Sequence, residues 1–316
     1  MITVPGNLLL LGEYAVLEEG GLGLALAVDR RVRVETTAGP GLRLEGSWPG
    51  GTFAWTPDRP GSSPLAAAVV DCVETWLREN GAPTPGWDAR IAVDSADLFD
   101  AGGRKRGFGA SAAVAVGLVA ALLSAAGAPP ARARAAVPVL ATRAHRMAQG
   151  GRGSGYDVHC SFHGAMGLFH GGQEPSWEPC RLRWDPAIFL FSGPASVSTP
   201  DAVGRYAEWK QRDARAAREF LEDSNRCVRE FLRADSAAQA AARLDACRRL
   251  GVAIGRAIGV PASVAAPPGF DASACKALGA GNELGACLVS AERAPDAAPP
   301  GVERALIAER GIVWKE

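Results

Sequence analysis

The residues most suited to chemistry form a glycine turn between a basic triplet and an uncharged helix. Arg104, Lys105 and Arg106 precede the run Gly107-Phe108-Gly109-Ala110-Ser111-Ala112. Glycines let backbone N–H groups approach an oxyanion, and a serine in the first helical turn can reach a phosphate-bound Mg²⁺. The pattern predicts an anion cradle, with a glycine-rich loop beside a solvated basic triplet as the alternative. It matches neither the P-loop nor the G-x-G-x-x-G pattern.

A second segment, residues 150–157 (GGRGSGYD), presents one carboxylate close to one arginine. Asp157 has the chemistry of a general base or metal ligand, and Arg152 could bind a substrate anion. An aspartate that caps the following helix is the alternative. A third glycine turn, residues 278–285 (LGAGNELG), could close over a phosphoryl group. The four histidines fall between residues 145 and 170, and His159, Cys160 and His163 with Asp157 offer a zinc alternative.

Periodicity predicts the elements that position these residues. Residues 1–60 read as short antiparallel strands, with separate strands at Gly23–Val28 and Arg31–Glu35. Helical spacing predicts further elements at Pro64–Asn80, Ala110–Ala126, Ala131–Gln149 and Ser154–Gly164, the third kinked or restarted at Pro138. Residues 200–258 are helical in pattern with breaks near Ser224 and Asp235. Strands are predicted around residues 89–93, 165–169 and 177–191, where Pro186 marks a junction.

Composition limits the classes of function. The 316 residues carry 34 Lys+Arg and 34 Asp+Glu, so the formal net charge is zero. Sustained binding to nucleic acid or an anionic membrane needs an excess of cations, so neither is expected. The seven cysteines contain no C-x-x-C pair and resemble no disulfide framework, which favours a reducing cytoplasm. The N-terminus lacks a basic segment, so a signal peptide is not expected there, and residues 107–130 are expected to form a buried helix rather than a membrane span.

Three motifs in this order resemble those of the GHMP kinase superfamily. They are Pro5–Leu17 (PGNLLLLGEYAVL), Gly107–Ala113 (GFGASAA) and Lys276–Gly285 (KALGAGNELG). Within the superfamily the phosphomevalonate kinase branch is the most similar. The segment 12–17, the lysine before the glycine loop, Ala144-His145 and Ser198-Thr199 fall where that branch has similar residues. The resemblance covers residues 4 to 292.

The resemblance implies an α/β fold with α+β two-layer lobes, a nucleotide-binding lobe at residues 1–175 and a C-terminal lobe at residues 183–316. It implies transfer of the γ-phosphoryl group of ATP, with Mg²⁺, to phosphomevalonate or a similar small acceptor. Asp157, Lys105 and Ser111 would be catalytic, and Ser111 would also bind the metal. The nucleotide would contact Lys105, Gly107, Phe108, Gly109, Ala110, Ser111 and Ala112. The acceptor would contact Asn7, Tyr14, Arg152, Ser154, Asp157, Ala280 and Gly281.

This chain departs from the family pattern at three positions. Asn7 stands where mevalonate and phosphomevalonate kinases carry a lysine, and Ala110 replaces the first serine of a Ser-Ser pair. His145 stands where mevalonate kinases place a Mg²⁺-binding glutamate, which weighs against mevalonate as the acceptor. The alternatives are mevalonate kinase, another GHMP small-molecule kinase, or a weakly catalytic paralogue that senses nucleotide and metabolite. The sequence is compatible with a homodimer and does not decide the oligomeric state.

Overall fold

The computed structural model describes residues 1–82, 86–100, 102–194 and 197–315. Its contacts divide the chain into two units. The first unit comprises Met1–Asn7, Ala27–Ala165 and Ala308–Glu316, and the second comprises Leu8–Leu26 and Met166–Ile307. Each unit is therefore assembled from segments that are far apart in sequence. The division into residues 1–175 and 183–316 stays a prediction.

Strands and helices alternate along the chain. The strands are β1 (Ile2–Leu11), β2 (Leu22–Ala38), β3 (Leu42–Trp48), β4 (Gly51–Trp55), β5 (Ala89–Asp94), β6 (Met166–His170), β7 (Ser176–Pro179), β8 (Pro186–Ser192), β9 (Cys275–Leu278), β10 (Leu284–Ser290), β11 (Val302–Arg304) and β12 (Val313–Trp314). The helices are α1 (Pro64–Glu79), α2 (Ala110–Ala125), α3 (Pro130–Ala148), α4 (Tyr156–His163), α5 (Thr199–Arg212), α6 (Ala214–Leu232) and α7 (Ala237–Ile258). The predicted mixed α/β class is confirmed.

The first unit combines helices α1 to α4 with a sheet in the order β12-β1-β2-β5-β3-β4, to which it contributes residues 2–7 of β1 and 27–38 of β2. Strands β3 and β5 are parallel, whereas β2 pairs with β5 and β3 pairs with β4 in antiparallel fashion. Helix α2 contacts α1, α3 and α4. It is buried almost all round, which explains why its sequence has no polar face. No helix in the described ranges is long and apolar enough to cross a membrane.

Two sequence-based boundaries in this unit differ from the structure. The strands predicted at Gly23–Val28 and Arg31–Glu35 are one strand, β2, because the backbone stays extended through Asp29 and Arg30. Helix α3 runs without a restart through Pro138. Packing of its buried face against α1 and α2 stabilises the helix despite the hydrogen bond that a proline cannot donate.

The second unit contains an antiparallel sheet in the order β11-β8-β10-β9 and the helices α5, α6 and α7. Strand β6 pairs with the first residues of β2 and with β7. The helical break predicted near Ser224 is wrong, because α6 continues from Ala214 to Leu232. The actual break lies at Asp213, whose side chain caps α6 by accepting a hydrogen bond from the N–H of Ala216 at 2.9 Å. The break near Asp235 is confirmed.

A disulfide corrects the expectation drawn from cysteine spacing. Cys275 in β9 and Cys287 in β10 are partners in the antiparallel register and form a buried disulfide. A sequence separation of 12 residues carries no recognisable signature, because only the hairpin brings the two side chains together. The remaining cysteines are reduced, namely Cys72, Cys160, Cys180, Cys227 and Cys247.

Candidate active site

The predicted anion cradle lies at the start of α2. Gly107 and Gly109 have φ angles of 80° and 61°, a conformation that favours glycine. Gly109 is the N-cap of α2, and a Cβ atom there would lie 2.2 Å from Nδ2 of Asn7. The N–H groups of residues 109–111 meet no hydrogen-bond acceptor in the described part of the chain. They are therefore free donors at a helix N-terminus, which is the kind of group that binds a phosphate.

The three basic residues before the cradle differ in their hydrogen bonds and ion pairs. Nε of Arg104 lies 3.2 Å from Oδ2 of Asp100, and Nε of Arg106 donates to the Phe99 carbonyl at 2.9 Å. Lys105 is exposed, and its ammonium group has no hydrogen bond or ion pair among the described residues. Lys105 is therefore the cation of the triplet that remains available to an incoming anion.

Ser111 and Asp157 are joined through His145. The Ser111 hydroxyl lies 3.0 Å from Nε2 of His145, and Nδ1 of the same ring lies 3.5 Å from Oδ2 of Asp157. The side-chain nitrogen of Gln149 also lies 3.1 Å from Nε2. An amide nitrogen can only donate, so Nε2 is the acceptor in this arrangement and the ring proton lies on Nδ1, towards Asp157. Ser111 then donates its proton to Nε2 and keeps its lone pairs for another ligand.

Asp157 lies in the first turn of α4, whose N-cap is Gly155 with a φ angle of 91°. Its Oδ1 accepts a hydrogen bond from the N–H of Val158 at 2.9 Å, while Oδ2 is the oxygen near His145. Because the N-cap is Gly155 and no side chain of the described residues caps α4, the alternative of Asp157 as the helix cap is wrong. Its negative charge in the first turn is favourable at a helix N-terminus. Its Oδ2 atom belongs to the cluster with His145.

The arginine that the structure brings to this cluster is Arg146, which the sequence did not single out. Its guanidinium donates to the carbonyls of Gly153 and Ser154 at 2.9 and 2.7 Å and so fixes the glycine-rich segment before α4. Burial lowers the pKa of Arg146, and the nearby Asp157 carboxylate opposes that shift. Arg152 is exposed instead. Ser154 is buried, and its hydroxyl accepts from the N–H of Tyr156 at 3.3 Å.

Asn7 contacts the glycine loop of the cradle through its buried side chain. Its side chain is 1% exposed, and Nδ2 donates to the Ser161 hydroxyl at 3.0 Å. The same nitrogen lies 3.5 Å from the Gly109 carbonyl, and Oδ1 has no partner among the described residues. Asn7 is therefore a buried packing and hydrogen-bonding partner of the loop, and it brings no charge to it.

The remaining predicted acceptor residues belong to the second unit. The hydroxyl of Tyr14 donates to the Ala280 carbonyl at 2.5 Å, which joins the first motif to the Ala280-Gly281 turn. Tyr14 has a φ angle of 63°, unusual for a residue with a side chain, and its ring stacks on Tyr206. Burial, and secondarily Glu13, raises the pKa of the Tyr14 hydroxyl, which keeps it a neutral donor.

Lys276 is the residue of this unit whose role the sequence did not reveal. It is 2% exposed, and its ammonium group donates to the carbonyls of Leu10 and Ala277 at 3.0 and 2.6 Å and to Oε1 of Glu13. A buried charge requires such partners. Its position at the start of the third motif was visible in the sequence, but its partners 266 and 263 residues away were not.

The histidines of α4 form no zinc site. Burial lowers the pKa of His159 to about 4, with smaller contributions from His163 and Arg146, and it also lowers the pKa of His163. Within the described residues, no group of three or more His, Cys, Asp or Glu side chains is arranged to hold a metal ion. The zinc alternative therefore has no ligand set in this structure.

Comparison with known proteins identifies the class of fold. No protein-family model matches the sequence, and a search of curated proteins finds no match. Among solved structures, a Lin0012 protein from Listeria innocua has a TM-score of 0.78 at 20% identity, with 99% of this chain and 98% of that chain covered. The chain has the fold of the GHMP kinases.

Two kinases of that fold bear on the acceptor. Streptococcus pneumoniae phosphomevalonate kinase, in complex with phosphomevalonate and AMPPNP, has a TM-score of 0.71 at 17% identity, with 92% of each chain covered. L. major mevalonate kinase, in complex with R-mevalonate, has a TM-score of 0.62 at 16% identity, with 98% of this chain and 95% of that chain covered. Identities this low establish the shared fold and leave the acceptor open.

Proposed function

We propose that the protein is a kinase that transfers the γ-phosphoryl group of ATP, with Mg²⁺, to phosphomevalonate. The observation that carries the proposal is the connection from Ser111 through His145 to Asp157. It couples a serine at the N-terminus of α2, where phosphate groups bind favourably, to a carboxylate suited to orienting an acceptor. Phosphoryl transfer depends mainly on such positioning and on cations around the transferred group.

Each residue of the cradle has a defined task in this proposal. The free N–H groups of residues 109–111 bind phosphate oxygens, and Lys105 meets the negative charge that moves during transfer. Bound Mg²⁺ would neutralise charge on the nucleotide phosphates. The lone pairs of the Ser111 hydroxyl fit a hard cation that prefers oxygen ligands, because its proton is engaged by His145.

Asp157 acts on the acceptor. The attacking oxygen of a phosphate monoester is already anionic near neutral pH, so a strong base is less necessary than for an alcohol. Asp157 therefore orients the acceptor and balances the charge of Arg146. Arg152 and Ser154, which are near it in sequence, are acceptor contacts that the resemblance implies. The remaining acceptor contacts are assigned to Asn7, Tyr14, Ala280 and Gly281 by the resemblance of their motifs.

Phosphomevalonate is favoured over mevalonate by the imidazole at position 145. A glutamate at this position would offer Mg²⁺ an oxygen ligand, whereas Nε2 of His145 has a single lone pair, which is already shared between Ser111 and Gln149. The structural likeness to a kinase bound to phosphomevalonate and AMPPNP supports the same acceptor and nucleotide. On this proposal the enzyme acts in isoprenoid synthesis.

The proposal is tested by incubating the protein with Mg·ATP and a panel of acceptors. The panel comprises mevalonate, phosphomevalonate, diphosphomevalonate, homoserine and sugars. We expect ADP formation that depends on phosphomevalonate and is lost on chelation of divalent cations. Turnover of an unphosphorylated alcohol alone would overturn the choice of acceptor and leave the kinase class in place.

Asn7 motivates a second candidate, a weakly catalytic paralogue that senses nucleotide and metabolite. Its buried amide supplies no positive charge at the cradle. Against the sensor hypothesis, the chain has all three of the proposed catalytic residues, Lys105, Ser111 and Asp157. A brisk turnover by the wild-type protein would exclude the sensor, whereas near-zero turnover that Asn7→Lys raises many-fold would favour it.

A further inference from the structure

Two cysteines that the proposed function does not use meet between α6 and α7. Cys227 of α6 is half-buried, Cys247 of α7 is buried, and both are reduced. Residues 233–236 connect the two helices, which pack against each other as an antiparallel hairpin. The thiols of Cys227 and Cys247 share a hydrogen bond. Two nucleophilic groups are thus held side by side within the second unit.

The register of the hairpin places the two cysteines opposite each other independently of that hydrogen bond. Nη1 of Arg243 lies 3.1 Å from Oε2 of Glu230 across the same two helices. Cys227 lies three residues before Glu230, and Cys247 lies four residues after Arg243. Each cysteine is therefore about one helical turn further from the connection, on the same face as the ion pair. Equal steps along an antiparallel pair lead to facing positions.

A second contact gives the same register further along the hairpin. Phe220 of α6 and Ile254 of α7 belong to one core cluster with Tyr14. Phe220 lies seven residues before Cys227 and Ile254 lies seven residues after Cys247, so each is about two helical turns further from the connection. The cysteines thus lie between two contacts of one register, and a bond between them would join the helices that pack on Tyr14.

The two thiols differ in reactivity. The hydrogen bond that Cys247 donates lowers the pKa of Cys227, burial opposes this shift, and the charge of Arg226 adds to it. The carboxylates of Glu230 and Asp223 oppose it. The same hydrogen bond raises the pKa of Cys247, and burial raises it further. Since a thiolate rather than a thiol attacks a disulfide, the more exposed Cys227 is the nucleophile of the pair.

We propose that Cys227 and Cys247 form an oxidation site, at which a small disulfide such as glutathione disulfide generates a second protein disulfide between α6 and α7. The Cys227 thiolate attacks one sulfur of the oxidant, whose S–S bond breaks, and one glutathione leaves as a thiolate. Cys247 then loses its proton, attacks the Cys227 sulfur and displaces the second glutathione. Two protein thiols are oxidised and one glutathione disulfide is reduced. The two released thiolates take up the two protons that the cysteines lose.

The new bond differs in accessibility from the disulfide already present in this unit. Cys275 and Cys287 are 2% and 0% exposed, so a dissolved thiol does not reach their bond in the folded protein. Cys227 is half-buried, so a small thiol can attack its sulfur and reopen the new bond. The bond between Cys275 and Cys287 is therefore a permanent part of the hairpin, whereas the bond between α6 and α7 is a reversible modification.

The test exposes the purified, folded protein to glutathione disulfide and counts its free thiols by iodoacetamide labelling after denaturation. Mass spectrometry of the peptides locates any bridge. We expect the count to fall from five to three, with a new bridge between Cys227 and Cys247. An excess of reduced glutathione should then restore the count to five, while the disulfide between Cys275 and Cys287 stays closed.

Three single variants separate the roles of the thiols, with thermal unfolding as the folding check. Cys227→Ser should keep all four of its free thiols, because Cys247 alone is buried and protonated. Cys247→Ser should retain one glutathione on Cys227, because no second thiol displaces it. Cys180→Ser is the matched control, since Cys180 is half-buried like Cys227 but burial raises its pKa to about 11. The thiol count of this control should fall from four to two.

Four results would overturn the proposal or part of it. A wild-type count that stays at five would overturn the oxidation site, as would glutathione that remains on Cys227 of the wild type without a bridge. A loss of two thiols in Cys227→Ser would mean that other cysteines react. Glutathione retained on Cys247 in that variant would overturn the choice of nucleophile. None of these results depends on phosphoryl transfer, so failure of the proposed function leaves this inference in place.

Discussion

The Ser111 hydroxyl donates to Nε2 of His145 across 3.0 Å, although the two residues are 34 positions apart in the chain. The contact joins the first turn of α2 to the last turn of α3. It also makes the Ser111 rotamer depend on a ring whose other nitrogen faces Asp157. The glycine loop before α2 and the Asp157 carboxylate are therefore held by one side chain.

His145→Leu should lower kcat by ~10- to 100-fold, because Ser111 and Asp157 lose their common partner and small misplacements of reacting groups are costly. His145→Gln should restore part of the activity, since its amide can still donate and accept. Steady-state kinetics with thermal unfolding as the folding check would measure both variants. His170→Leu is the matched control, because His170 is 41% exposed and belongs to the other unit. A kcat within twofold of the wild type would contradict the positioning role.

Lys105→Ala should reduce kcat by ~10²-fold and raise the KM for ATP much less, because a preorganised cation matters most where charge moves. The control is Arg104→Ala, because the Arg104 side chain is 87% exposed and already paired with Asp100. We expect the control to remain close to the wild type in single-turnover measurements. Equal losses in the two variants would show that the triplet acts as a general basic patch.

Asp157→Asn should reduce turnover of the true acceptor by ~10²-fold or more. The amide can still contact the N–H of Val158, so the start of α4 is preserved, while the charge facing His145 and Arg146 is lost. Stability and activity are therefore separable in this variant. An unchanged kcat and KM would leave Asp157 with a structural role in the first turn of α4 alone.

Local signals predicted the parts of the site that are local in sequence. The glycine turn before α2 was visible because positive φ angles favour glycine, and α2 itself followed from an uninterrupted apolar run. The start of α4 near Asp157 followed from the preceding glycines. In each case neighbouring residues determine the conformation.

The rest of the site depends on contacts that one sequence does not encode locally. Gln149 sets the tautomer of His145, Arg146 fixes the segment before α4, and Lys276 pairs with Glu13. Arg152 was the more prominent arginine in sequence, but it is exposed. The break at Asp213 was missed because Ala and Arg favour helix on both sides of it, so only the cap distinguishes it.

The buried disulfide between Cys275 and Cys287 predicts a difference in thiol counts. After denaturation without reductant, iodoacetamide should label five of the seven cysteines, and all seven after reduction. The Cys275→Ala/Cys287→Ala double variant should lose about 3 kcal/mol of unfolding free energy, because the closed loop restricts the unfolded chain. Urea unfolding would measure the loss, with Cys72→Ala as a reduced, buried control. Seven labelled cysteines without reductant would contradict the disulfide.

His159 predicts how the stability of the first unit depends on pH. Burial lowers its pKa to about 4 in the folded protein, compared with the ordinary value of 6.5 for a solvated histidine. Between these values the unfolded chain binds more protons than the folded chain, so unfolding free energy is full above pH 6.5 and falls as the pH drops towards 4. The loss amounts to about 3 kcal/mol. Urea unfolding would be measured between neutral pH and a pH just above the folded-state pKa of His159. His159→Gln should flatten the fall of unfolding free energy over this range. The exposed His170→Gln control should leave that slope unchanged. An equal slope in the wild type and His159→Gln would mean that another group causes the acid sensitivity.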